Sequence, residues 1–165
     1  MSRNTKAIML FASILSCMAI IACNLKNQEK MTTENNSLYP KGDPLPNDWF
    51  TGNAFLHPLV AKDNNNNFSA GSVTFEPEAR TNWHTHPKGQ VLLVIDGEGF
   101  YQEKGKPAQS IKKGDVVNIP ENVEHWHGAS TTSSMTHIAI TNYEKEEQVV
   151  WLAPVSDEDY QKVMK

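Results

Sequence analysis

Five of the six histidines fall between residues 84 and 137, and four of them form two His-X-His pairs, His84/His86 and His125/His127. Residues two apart in an extended strand share a face. His84 and His86 therefore point one way, with Trp83 and Thr85 the other way. His125 and His127 likewise share a face, opposite Trp126. His137 lines up with Met135, Ala139 and Thr141, away from Ile138 and Ile140, and Gln90 lines up with Leu92 and Val94. A single His-X-His pair is more often a surface or hydrogen-bonded feature. Several same-face imidazoles in one span are different, because neutral imidazole is the commonest metal ligand and burying it unpartnered costs free energy. The spacing points to a metal site.

Strands must carry these side chains. From about Ala70 the hydrophobic period is two: "SVTF", "QVLLVID", "GFYQEKGKPAQSI" as two strands around a Lys-Gly-Lys-Pro turn, "DVVNIP", "EHWHGAS", "MTHIAIT" and "QVVWL". Gly, Pro or Asn separates them. Short strands with regular turns and no long amphipathic helix predict an all-β sandwich or barrel. Only the end reads as helix: Ser156 and Asp159 are spaced as a capping box, opening a short helix to about Val163.

The same stretches resemble the cupin family. "HTHPKGQVLLVIDG" (84–97) has the form of the first cupin motif and "GDVVNIPENVEH" (114–125) that of the second. The resemblance implies a double-stranded β-helix, a jelly-roll barrel of six to eight strands. Inside it, one divalent metal would be held by His84, His86, Gln90 and His125. "DWFTG", "SVTFEPEARTNWHTHPKGQ", "GDVVNIPENVEHWHGAS" and "MTHIAI" are similar to the small single-domain cupins that include manganese-dependent hydroxynitrile lyases. That likeness runs from about Asp48 to Tyr160. It implies manganese first, with iron, zinc, cobalt or nickel as alternatives, and a homodimer or homotetramer. The wider family has glutamate where this subgroup and this chain have Gln90. With three imidazoles and a carboxamide, the ligand set is neutral and leaves the ion's charge uncancelled, which favours Lewis-acid polarisation of a hydroxyl or carbonyl oxygen.

His137 is the candidate general acid/base: it lies on another strand, faces inward and has an ordinary pKa near neutrality. His127, beside ligand His125, is the second candidate, at the pocket entrance. Val73, Phe75, Leu92 and Val94 are expected as an apolar wall, Trp83 and Trp126 as packing residues, and His57 as unrelated. The function expected is a metal-dependent lyase of hydroxynitrile type acting on a small molecule. The alternatives are a cupin dioxygenase or oxidase and a non-catalytic ligand-binding module.

The N-terminus reads as a targeting segment. Arg3 and Lys6 precede an uncharged, mostly apolar run, Ala7 to Ala22, that is short for a membrane span. "Ile20-Ile21-Ala22-Cys23" resembles a lipoprotein cleavage site, with Cys17 as a weaker alternative. The expected organisation is a signal peptide (1–22), a flexible tether (23–45) and a cupin domain (46–165), exported and anchored to the membrane by lipid on Cys23. The chain has two cysteines, both in this segment, so the domain has none for a disulfide. Losing Arg3 and Lys6 takes 15 basic side chains to 13 against 19 acidic, a formal charge of −6. No basic run is present, which argues against nucleic acid as a partner.

Overall fold

The computed structural model describes residues 37–163. The leader, Cys17, Cys23 and the first part of the tether lie outside the described residues. Among the described residues, twelve strands and one helix follow in order: β1 (Asp43–Pro44), β2 (Phe50–Thr51), β3 (Ala54–Val60), β4 (Phe68–Phe75), β5 (Arg80–Thr81), β6 (His84–Thr85), β7 (Gln90–Glu103), β8 (Gln109–Lys112), β9 (Val116–Ile119), β10 (His125–Ala129), β11 (Met135–Asn142), β12 (Val150–Trp151) and α1 (Asp157–Val163). β1 pairs with β3, so sheet structure begins inside the stretch read as tether. No described helix is long and apolar enough to cross a membrane.

All pairings are antiparallel, in two sheets that share β7. One sheet runs β1-β3-β4-β11-β7-β9. The other places β8 and β10 beside the second half of β7, with β5-β2 and β6-β12 continuing from β10. "QVLLVID" and "GFYQE" were expected as separate strands and form the single β7. Gly97 is the corner between its halves. Its φ is +69°, and a Cβ there would lie 1.9 Å from the carbonyl oxygen of Ser134. Glycine bends the strand from one sheet into the other without ending it.

The core fills the space between the sheets with Phe50, Val73, Phe75, Leu92, Val94, Tyr101, Ile111, Ile119 and Met135. Trp83 and Trp126 pack outside the barrel with Val155 and Tyr160, beneath α1. Ser156 caps that helix: the Asp159 amide donates to Ser156 Oγ (3.1 Å), and Ser156 Oγ donates to the Asp159 carboxylate (2.9 Å). Arg80 is buried and ties the helix to the barrel, donating to the Val155 carbonyl and to Asp157 while lying 4.5 Å from the Tyr160 ring centre.

Candidate metal centre

The histidines meet between the two sheets. β10 and β6 pair in register at His125 and His84, and their ring centres are 4.1 Å apart. His86 follows β6, its ring 5.0 Å from that of His84 and 5.5 Å from that of His125. Gly89 then turns the chain at φ +73°, and Gln90 enters β7 pointing inward. His137 comes from β11 in the opposite sheet, where the register with β7 shifts between Thr136 and His137. Such bulges re-aim side chains beside sites. His57 stays outside, against Tyr39.

All five site histidines are buried. Burial disfavours the charged imidazolium. It holds His84 and His127 well below the usual imidazole range, lowers His86, and pushes His125 and His137 down to about 4. The neutral rings are oriented by the backbone. His84 Nδ1–H donates to the Asn82 carbonyl (2.9 Å), His125 Nδ1–H to the Val123 carbonyl (2.8 Å) and His86 Nδ1–H to the Gln148 carbonyl. With Nδ1 protonated, Nε2 carries the lone pair that binds metals. Gln90 Nε2 donates to Thr141 Oγ1 at 2.9 Å, which leaves its carbonyl oxygen free. The Nε2 atoms of His86 and His125 and Oε1 of Gln90 are all buried without a hydrogen-bond partner. Orphaned acceptors are rare in folded proteins, and a cation is one partner that would satisfy such atoms.

His84, His125 and His127 present ring nitrogens within 4.8 Å of one another, so these three could hold a metal ion. This trio shares two residues with the expected set and has His127 in place of His86. The two differ in their Nδ1 partners: His127 Nδ1 bonds His137 Nε2 at 3.2 Å, whereas His86 Nδ1 is held by a backbone carbonyl. Phe75 packs behind the His127–His137 pair, with ring centres 5.7 and 5.6 Å away.

A cavity of about 240 Å³ is lined by His84, His86, Gln90, His127 and His137, with His125 outside the lining. Val73 lines it as expected, but Phe75, Leu92 and Val94 are core residues outside the lining. The apolar wall comes instead from Leu45, Pro46, Phe50 and Leu56, with Trp49 and Trp151 stacked 5.5 Å apart at its side. The Trp151 ring also lies 4.9 Å from His84. Leu45, Pro46 and Leu56 lie outside every stretch the sequence marked, whereas Trp49 and Phe50 were legible only within "DWFTG" and Trp151 only as part of a strand. Thr141 was legible only as a same-face neighbour of His137, and the Gln148 carbonyl has no sequence signature.

Comparison with known proteins agrees with this architecture. The cupin domain family model matches residues 71–141. The chain is 44% identical over 117 residues to the (R)-mandelonitrile lyase of Granulicella tundricola, covering 71% of this chain and 89% of that protein. A cupin-like protein from Thermotoga maritima superposes with a TM-score of 0.76 at 45% identity, covering 79% of this chain and 98% of its own. The DMSP lyase DddQ of Ruegeria pomeroyi shares the fold alone, with a TM-score of 0.54 at 18% identity over 73% of this chain and 62% of its own. Two histidine-bearing motifs folded into one barrel cavity, and two relatives of mid-forties identity matched over most of their length, lead to one conclusion: the chain belongs to the cupin family.

Proposed function

We propose that this protein is a metal-dependent lyase of small oxygenated molecules, cleaving or forming the C–C bond next to a hydroxyl or carbonyl, as the name of its Granulicella relative suggests. The observation that carries the reading is that His86 Nε2 and Gln90 Oε1, both buried without a partner, belong to residues lining one largely apolar cavity, beside the His84–His125 pair. His84, His86, Gln90 and His125 would hold the ion, manganese first among the candidates. Bound there, it would supply Lewis-acid polarisation of a substrate oxygen.

The rest of the chemistry belongs to the chain. His137 Nδ1 has no partner, while His137 Nε2 lies 3.2 Å from His127 Nδ1. With Nε2–H of His137 donating to His127, Nδ1 of His137 is a free base. It takes the hydroxyl proton of a 2-hydroxynitrile as the C–C bond breaks. The electron pair of that bond leaves with cyanide, and the carbinol carbon becomes the carbonyl of an aldehyde or ketone. The proton is then returned to cyanide. The aromatic wall orients the apolar substituent and limits water.

The test is elemental analysis of the purified protein, then benzaldehyde release from mandelonitrile by protein loaded with each candidate metal. Turnover should appear with at least one metal. The variant His137→Phe should lose at least a hundredfold in kcat while retaining the metal. Stoichiometric metal with no turnover would sink the lyase reading. We also propose export with lipid on Cys23 and assembly as a homodimer or homotetramer; labelling by a radioactive fatty acid and light scattering check these.

A further inference from the structure

The cavity's electrostatics point beyond a neutral substrate. Its lining contains no Asp, Glu, Lys or Arg. The groups facing the proposed ion are imidazoles and one carboxamide, formally neutral ligands, and each imidazole is fixed as the Nδ1–H tautomer by a backbone carbonyl. Nearby acid does not compensate. Glu103, beyond His125, is paired with Lys106 at 2.5 Å. A divalent ion here would keep its full charge beside a largely apolar wall, and an uncompensated charge next to apolar surface is costly. The favourable remedy is an occupant that brings negative charge with it. The cavity also offers the His127–His137 pair, which can exchange hydrogen bonds with a hydroxyl, and a wall of Leu45, Phe50, Leu56 and Trp151 that fits a compact apolar substituent.

We propose that the pocket selects anions over neutral isosteres, and that its ligand class is the 2-hydroxycarboxylate with a small aryl or alkyl substituent. The inference rests on the metal-centre reading but not on the lyase reading. The experiment is calorimetric titration of manganese-loaded, dialysed protein with mandelate and with its neutral isostere 1-phenylethane-1,2-diol, repeated on metal-free protein and on the Gln90→Glu variant, with metal content measured in each. Mandelate should bind at least tenfold more tightly than the diol, and only to loaded protein. Gln90→Glu, which cancels one unit of charge, should weaken mandelate at least tenfold and the diol less than threefold. Equal affinity for mandelate and diol, or mandelate binding to metal-free protein, overturns the proposal. Mandelate binding without mandelonitrile turnover supports it and counts against the lyase reading alone. Turnover without anion preference does the reverse. Failure to bind any metal overturns both.

Discussion

The two ends of the Gln90 amide differ in chemistry: the oxygen binds a cation and the NH2 group repels one. Thr141 decides which end faces the histidines, because its hydroxyl accepts the Gln90 Nε2–H bond at 2.9 Å. Partners of this kind affect metal affinity by roughly 10- to 100-fold. Thr141→Val keeps the shape and removes the acceptor, so it should weaken divalent-metal binding by about that factor. Thr141→Ser should restore most of it. Competition against a chromophoric chelator measures both, and an unchanged affinity in Thr141→Val would show that the amide is fixed some other way. The histidines were legible in the sequence because alternation along a strand is a strict rule. Thr141 was not, because its role depends on which residue lies across the β7–β11 ladder, where it stands opposite Gln90.

Among the elements, the strands that carry the site histidines were legible, whereas β3 and the continuity of β7 were not. Pro58 breaks the expected pattern of β3, which tolerates it near the edge of its sheet, with only the two-residue β1 beyond it and a register shift after Pro58. Gly97 reads locally as a stop. Its corner role depends on the neighbouring Ser134 carbonyl, which belongs to the approach to β11. This yields a comparison between two glycines of similar φ. Gly97 (+69°) meets backbone, whereas Gly105 (+76°) meets nothing within 4 Å. Gly105→Ala should cost only the left-handed conformation, about 1 kcal/mol. Gly97→Ala should add the steric displacement of β11 and cost about 3 kcal/mol or more. Urea unfolding midpoints at a common m-value separate them, and similar losses would mean that the corner yields easily.

For the molecule as a whole, a cavity built from neutral histidines couples folding to pH. The unfolded chain protonates its imidazoles near pH 6.5. In the folded state burial holds them lower, with His125 and His137 near 4. Between those values the unfolded chain binds more protons, so stability rises with pH through the window. The part carried by His125 and His137 is fully present above about pH 6.5, declines as the pH falls, and levels off below about 4. Each fully shifted histidine is worth on the order of 3 kcal/mol, although neighbouring rings are coupled and their contributions do not add. Metal loading draws on the same neutral rings. A ligand at 100 times its Kd stabilises the fold by about 2.7 kcal/mol, and that increment should shrink as protons compete for Nε2. Thermal melts from pH 7 to pH 4.5 should therefore show Tm falling in the metal-free protein and falling more steeply in the manganese-loaded protein, so that the two curves converge at the acid end. Flat curves over this range would mean that the imidazoles titrate in the fold as they do in the unfolded chain, so that burial does not hold them neutral. Parallel curves would place the metal on groups other than these histidines.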